Sequence, residues 1–291
     1  MGPFRCIADL RADLLESPLW DDRRSVLFVC DIPGCKIIEI DLAGNPKRRW
    51  TFDQPVTALG LCESGSLVVA LARKVIVFNP DSGDRRDVWT GYDEPTTSRL
   101  NDGKVGPDGA FWVGSMDGRP QREAIANLYR LHSDGTAQVI AGDIEVSNGL
   151  AWSPDGRIMY HSDSRGPWID RYAFDPATGS AANRTRFADL TEAMGRPDGA
   201  ACDASGGYWS AGVSAGVLNR FTSDGHLLSA YPFPAPAPTM PCFCGQGLRQ
   251  IAVTTHRLVE QMRLQPAPQS GGVFLAEAPV AGAPVARMKG I

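Results

Sequence analysis

Apolar and polar positions alternate with a period of two through most of the chain, in short runs broken by turns rich in Gly, Asp and Asn. That is the pattern of half-buried β-strands. A two-part phrase then recurs six times. Its first part is a turn leading into an apolar or aromatic strand: Trp20-Asp21-Asp22 into Val26–Val29, Glu63-Ser64-Gly65 into Leu67–Leu71, and Pro107-Asp108-Gly109 into Phe111-Trp112-Val113. The same part returns as Pro154-Asp155-Gly156 into Ile158–His161, Asp203–Gly207 into Tyr208-Trp209-Ser210, and Gly245-Gln246-Gly247 into Gln250–Thr254. The second part is an alternating strand closed by another turn, as in Ile37–Asn45, Val75–Gly83, Leu128–Gly135, Ile169–Gly179, Leu218–Gly225 and Val273–Gly282. A spacing of roughly 40–50 residues is that of a four-stranded propeller blade. The predicted fold is all-β: a six-bladed β-propeller with four-stranded blades. A ring of blades must also close, or it leaves an unpaired strand edge. Phe4–Leu10 precedes the first repeat and is expected to pair with the strand around Gly272–Ala276, completing the sixth blade.

Composition narrows the class. The 291 residues are 43% hydrophobic, with no break in composition and no linker, so a single domain over residues 1–291 is expected. No apolar run approaches the roughly 18 residues of a membrane span. Met1 to Leu15 carries Arg5, Asp9, Arg11 and Asp13 and lacks a signal-peptide core, so the expected location is cytoplasmic. The net charge is −4 with basic residues dispersed, which gives no footprint for nucleic acid. Seven cysteines are an odd number without zinc-ribbon spacing, and reduced thiols are expected. A small molecule is the expected partner, and oligomeric state is left open.

In a propeller the innermost strand of every blade begins at one mouth of the central channel, so equivalent repeat positions converge. Counting back about 11–12 residues from the centre of each first-part strand reaches Glu16, Thr57, Asn101, Asn148, Asp198 and Pro241. Asn and Asp before Gly are ordinary turn formers. Their recurrence at one phase of successive blades, with Glu16 in another, points instead to a site. Two carboxylates held together repel, and one must take up a proton or attract a cation. Their oxygens suit one divalent metal ion, with calcium, magnesium, manganese, iron(II) or loosely held zinc all admissible. Asp102 is an off-phase neighbour, read as a turn or supporting group. His161 lies inside a strand and is read as a packed imidazole. A serine-nucleophile esterase is not expected, because no nucleophile elbow is read in the chain.

Four ordered stretches carry a family resemblance. Glu16-Ser17-Pro18-Leu19-Trp20, Ser98-Arg99-Leu100-Asn101-Asp102-Gly103, Ser147-Asn148-Gly149-Leu150-Ala151-Trp152 and Arg196-Pro197-Asp198-Gly199 resemble the signatures of the SMP-30/gluconolactonase (regucalcin-like) family. Thr239–Gly245 is similar to the loop of its last blade. The resemblance implies a divalent metal held by Glu16, Asn148 and Asp198, substrate contacts from Arg99 and Asn101, and hydrolysis of a sugar lactone. Asp198 is then the candidate general base. Arg99 has an alternative partner in Asp93 or Glu94. Leu15 and Ser17 depart from the family's glycines beside Glu16, and Cys244 from another glycine. Trp168, Met116-Asp117-Gly118-Arg119 and Phe243 are expected to overhang the mouth, and Arg119, Arg165 and Arg196 would admit an anionic substituent on the sugar. Two other readings stay open at this point: hydrolysis of another ester or lactone class, and a non-catalytic calcium-binding or ligand-sensing propeller. The sugar, its ring size and the metal are not fixed by the sequence.

Overall fold

A computed structural model of the chain describes residues 1–257 and 264–291. After β1 (Arg5–Ala8) the strands fall into consecutive antiparallel sheets of four. The first blade is β2 (Leu15–Asp21), β3 (Val26–Asp31), β4 (Lys36–Ile40) and β5 (Pro46–Thr51); the second is β6 (Val56–Leu61), β7 (Leu67–Leu71), β8 (Val75–Phe78) and β9 (Arg85–Trp89). The third is β10 (Ser98–Val105), β11 (Phe111–Asp117), β12 (Ala126–Leu131) and β13 (Ala137–Ile144); the fourth is β14 (Ser147–Trp152), β15 (Ile158–Asp163), β16 (Trp168–Asp175) and β17 (Ser180–Asp189). The fifth is β18 (Pro197–Cys202), β19 (Tyr208–Gly212), β20 (Val217–Phe221) and β21 (Leu227–Pro232). The last holds β22 (Pro238–Cys244), β23 (Gln250–Thr255) and β24 (Val273–Glu277), and β1 adds as its outer strand, with Arg5 opposite Leu275 and Cys6 opposite Phe274. The fold is the six-bladed β-propeller that the repeats predict, and the first strand closes the ring as expected.

Burial explains the two textures of the sequence. Inner strands are covered on both faces, so β6 and β14 are buried at every position, whereas the outer strand β5 (Pro-Lys-Arg-Arg-Trp-Thr) alternates toward solvent. Aromatic side chains fill the wedges between blades. Trp112, Trp152 and Phe174 meet edge to face at 5.6–5.9 Å between blades three and four. Between blades four and five, Phe187 meets Tyr160 and Tyr208 edge to face at 4.9 and 5.8 Å, and Tyr208 lies tilted against Phe221 at 6.4 Å.

A register break recurs near the start of every inner strand. It falls between Glu16 and Leu19, Val56 and Ala58, Leu100 and Gly103, Asn148 and Ala151, Pro197 and Ala200, and Pro238 and Pro241. A bulge of this kind leaves extra residues unpaired and re-aims their side chains. At the opposite end of the channel the C-terminal segment runs beneath the blades: Ala283 N–H bonds Cys202 O, Met288 N–H bonds Leu61 O and Arg287 pairs with Asp21. A cavity of about 620 Å³ lies there, lined by Trp20, Leu59, Trp152, Met240 and Phe243 among others.

Candidate active site

The bulges deliver the side chains singled out in the sequence to one mouth of the channel. Glu16 and Asn148 stand immediately before their bulges, and Asn101 and Asp198 one position inside theirs. The backbone after the first pair turns left-handed, at Ser17 (φ 48°) and Gly149 (φ 68°). For Ser17 that conformation costs about 1–2 kcal/mol relative to glycine. Two hydrogen bonds hold it there: Ser17 Oγ accepts from Leu59 N at 2.8 Å, and Ser17 N donates to Glu16 Oε2 at 3.0 Å. The departure from glycine therefore leaves the carboxylate in place and adds a tie to the second blade.

The other groups are linked from blade to blade. Asn101 Nδ2 donates to Ser147 O at 2.9 Å, while its Oδ1 accepts from Arg99 Nη1 at 2.8 Å. Asn148 is buried, and its Nδ2 donates to Ser164 Oγ at 2.7 Å, which leaves Oδ1 as the free acceptor. Ser164 Oγ passes the bond on to Pro197 O at 2.6 Å, next to Asp198. Arg99 forms no ion pair with Glu94, whose carboxylate is taken up by Tyr92, Ser98, Ser115, Asn127 and Tyr129.

Three carboxylates, Glu16, Asp102 and Asp198, share the centre. Burial pushes Glu16 well above the usual carboxylate range, and the charges of Asp198 and Asp102 push it further. Asp198 is raised to about 8, first by burial and then by Asp102. Arg99 is lowered to about 10, first by burial and then by Arg122, with Glu16 and Asp198 pulling the other way. Glu16 accepts from Ser17 N–H and Asp198 from Gly199 N–H; among the described residues neither is bonded to an ammonium or guanidinium. Nor do three His, Cys, Asp or Glu side chains come together as a ligand set among those residues. The donors available to a cation are two carboxylates with no direct ion-pair partner among the described residues, and the Asn148 amide oxygen. Such a set fits a hard divalent ion that keeps open positions.

Sequence reasoning missed two participants, Lys104 and Ser164. Lys104 is buried and spans the channel from the third blade, donating Nζ to Ala200 O at 2.6 Å, with its pKa lowered by burial. Asp102, read as a supporting group, accepts from Leu150 N at 3.2 Å and so pins the bulge that carries Asn148. Ser164 bridges Asn148 to the strand of Asp198. A lysine in a strand buried on both faces was the available signal, since its ammonium has to reach the channel.

Several expectations need correction. Pro241 lies past its bulge and lines the cavity at the far end; the mouth position of the last blade is Thr239, whose Oγ1 bonds Leu15 O at 2.7 Å. Thr57 bonds Ala70 O within its own blade. Phe243 also lies at the far end, edge-on to Trp209 at 5.8 Å. Trp168 begins β16 at the mouth end of its blade, with Arg184 and Arg186 of β17 stacked on it, and is not among the positions displaced. Arg119 is consumed by Asp117 and Glu123 at 2.8 and 3.0 Å. Gly212-Val213-Ser214-Ala215-Gly216 does spell the consensus of a nucleophile elbow. It connects two strands rather than a strand and a helix, and Ser214 Oγ accepts from Arg196 N at 2.9 Å. His161 is buried against Ser147 Oγ at 2.8 Å and its pKa falls to about 3 through burial, so it is a neutral packed group as read.

The profile of the SMP-30/Gluconolactonase/LRE-like region matches residues 14–257, a stretch that holds every residue named at the mouth. The chain belongs to this family. It is 34% identical over 284 residues to 6-deoxy-6-sulfogluconolactonase of Pseudomonas putida, covering 96% of both chains. It is 30% identical over 277 residues to regucalcin of Bos taurus, covering 93% of each. The fold superposes with a TM-score of 0.88 on a calcium-binding protein, regucalcin, from Agrobacterium tumefaciens, at 23% identity over 99% of this chain and 98% of that one.

Proposed function

We propose that this protein is a divalent-metal-dependent lactonase that hydrolyses a sugar lactone to its aldonic acid, with residues 1–291 acting as one domain. Its family and its 34% identity to a sugar lactonase make it a hydrolase of carboxylic esters in sugar metabolism. The observation that carries the site assignment is the pair of mutually repelling carboxylates, Glu16 and Asp198, together with Asn148, whose oxygen is unspent.

In this reading Glu16, Asn148 and Asp198 hold the ion. When bound, it supplies Lewis-acid polarisation of an ester carbonyl and acidifies water. Arg99 and Asn101, already bonded to each other, present fixed donors to the substrate's oxygens and orient the ring. Asp198 takes a proton from the attacking water as the water oxygen bonds to the carbonyl carbon. The bond from that carbon to the ring oxygen then breaks, and Asp198 returns the proton to the departing oxygen. Lys104 and Asp102 form the floor beneath and fix the blades that carry the ligands.

The test is acid release from a panel of aldonolactones by chelator-stripped protein, with single divalent metals restored. Metal-dependent opening is expected, and Asp198→Asn should reduce it at least ~10²-fold. Opening no faster than the spontaneous rate with every metal would discard the lactonase. Retained cation binding would then favour a binding protein, like the calcium-binding regucalcin of Agrobacterium tumefaciens.

A further inference from the structure

We propose that the channel mouth carries a built site for a tetrahedral oxyanion, a sulfonate or a phosphate, formed by Arg122, Arg165 and Arg196 and taking the end of the substrate remote from the lactone carbonyl. The position of the carbonyl rests on the lactonase reading; the anion site itself does not.

The topology brings the three arginines to one end. Inner strands run from the mouth downward and second strands return to it, so the connections from second to third strand open at the mouth. Arg122 lies in the connection β11–β12 and Arg165 in β15–β16, while Arg196 immediately precedes β18. They come from three successive blades. Arg122 is lowered first by burial and then by the charges of Arg165 and Arg196, and Arg196 first by burial and then by Arg165, which places the three side chains within electrostatic reach along the rim.

Several arginines elsewhere in the chain are offset directly by acids. Arg24, Arg48, Arg130, Arg220 and Arg287 each pair with an Asp or Glu within 3.0 Å. Among the described residues none of the three mouth arginines has a carboxylate within 4.0 Å. Asp117 and Glu145 face Arg122 from longer range, and Asp198 faces Arg196. Arg119, three positions before Arg122, is saturated by Asp117 and Glu123 and stands outside the set.

The three also differ in how firmly they are held. Arg122 Nε donates to Asp117 O at 2.9 Å, which fixes the stem and leaves both Nη groups available. Arg196 Nε is buried without a partner. Arg165 is exposed at the rim. Three planar forks meeting one group are best matched by three terminal oxygens, each accepting charge-assisted bonds. A neutral polyol offers none, and a carboxylate has only two oxygens.

The experiment measures kcat/KM of metal-loaded wild type on gluconolactones bearing at carbon 6 a hydroxyl, a sulfonate or a phosphate. At least about tenfold preference for one anionic lactone over the hydroxyl form is expected from contacts to a charged group, and the faster arm identifies the source. Arg122→Ala and Arg165→Ala should each cut that preference about three- to tenfold, mainly through KM, and Arg165→Lys should restore part of it. A neutral lactone opened as fast as both anionic ones, or variants that lose both kinds of substrate equally, would overturn the proposal. Calorimetric binding of 6-phosphogluconate and 6-deoxy-6-sulfogluconate against gluconate separates the two readings. With no lactone opened, preferential binding of one of these anionic acids that weakens in Arg165→Ala keeps the anion site and discards the lactonase. With lactones opened but no anionic preference in rate or binding, the anion site alone fails.

Discussion

The carboxylate of Glu94 is the best place to test how the site is held. It is buried beside the strand that presents Arg99 and Asn101. Oε1 accepts from Ser115 Oγ at 2.6 Å, Tyr129 OH at 2.7 Å and Asn127 Nδ2 at 2.9 Å, and Oε2 from Tyr92 OH at 2.9 Å and from Ser98 Oγ. Arg73 stacks on Tyr92 at 4.7 Å and caps the turn through Glu94 O and Ser98 O, at 2.8 and 2.9 Å. Glu94→Gln keeps the shape and one oxygen, and the hydroxyls of Tyr92 and Ser98 can rotate to accept from the new amide. What is lost is the charge on five bonds. With hydrogen bonds to a charged group contributing about 1.5–3 kcal/mol and neutral ones about 1, a loss of about 2–4 kcal/mol is expected at pH 7. Burial alone would raise the pKa of Glu94, but Ser115, Ser98, Tyr129 and Asn127 hold it below 4.5. A carboxylate with a depressed folded pKa stabilises above its unfolded value and loses that contribution as pH falls through the folded one. The stability gap between wild type and Glu94→Gln, measured by urea unfolding, should therefore be full above pH 5 and narrow as the pH drops below 4.5. A gap under 1 kcal/mol at pH 7, or one of the same size at pH 3.5, would refute the reasoning. KM is expected to rise more than kcat falls, since Arg99 follows Ser98 directly.

Other outcomes follow from the same structure. His161 has a folded pKa of about 3 against 6.5 unfolded, so the unfolded state gains a proton first and stability drops as pH falls below 6.5. The loss from this residue between pH 7 and 5 is about 2 kcal/mol, and urea titrations should find it absent in His161→Gln; parallel losses in both proteins would contradict it. Ser17→Ala keeps the left-handed strain and orphans Leu59 N, costing about 1–3 kcal/mol, whereas Ser17→Gly relieves the strain and should be the more stable of the two. The reverse order on thermal melting would count against the strain argument. Deleting residues 1–10 removes β1 from β24 and the contact of Phe4 with Phe233 at 4.5 Å, and should lower Tm by about 5–10 °C while leaving KM unchanged. An unchanged Tm would show that the first strand does not secure the ring.

Much of the fold was legible because strand alternation is local: each residue's face of the pleat is set by its immediate neighbours, and six copies repeat the statement. Phase in the repeat was enough to pick out Glu16, Asn101, Asn148 and Asp198. It failed at Pro241, because counting assumes one length for the hairpin between inner and second strands, and in the last blade that hairpin, with Gln246–Leu248 at its tip, is longer, which moves the mouth position back to Thr239. The tertiary structure alone decided what meets across the channel. Lys104 reaches Ala200 over 96 positions of sequence, Ser164 reaches Pro197 from another blade, and Arg122 replaces Arg119 in the basic rim because local acids claim Arg119 first. These contacts depend on the rotation of one blade against the next and on the path of the connecting loops. Neither is written in a period-two pattern, which records the faces of a strand and not the partner each face will find.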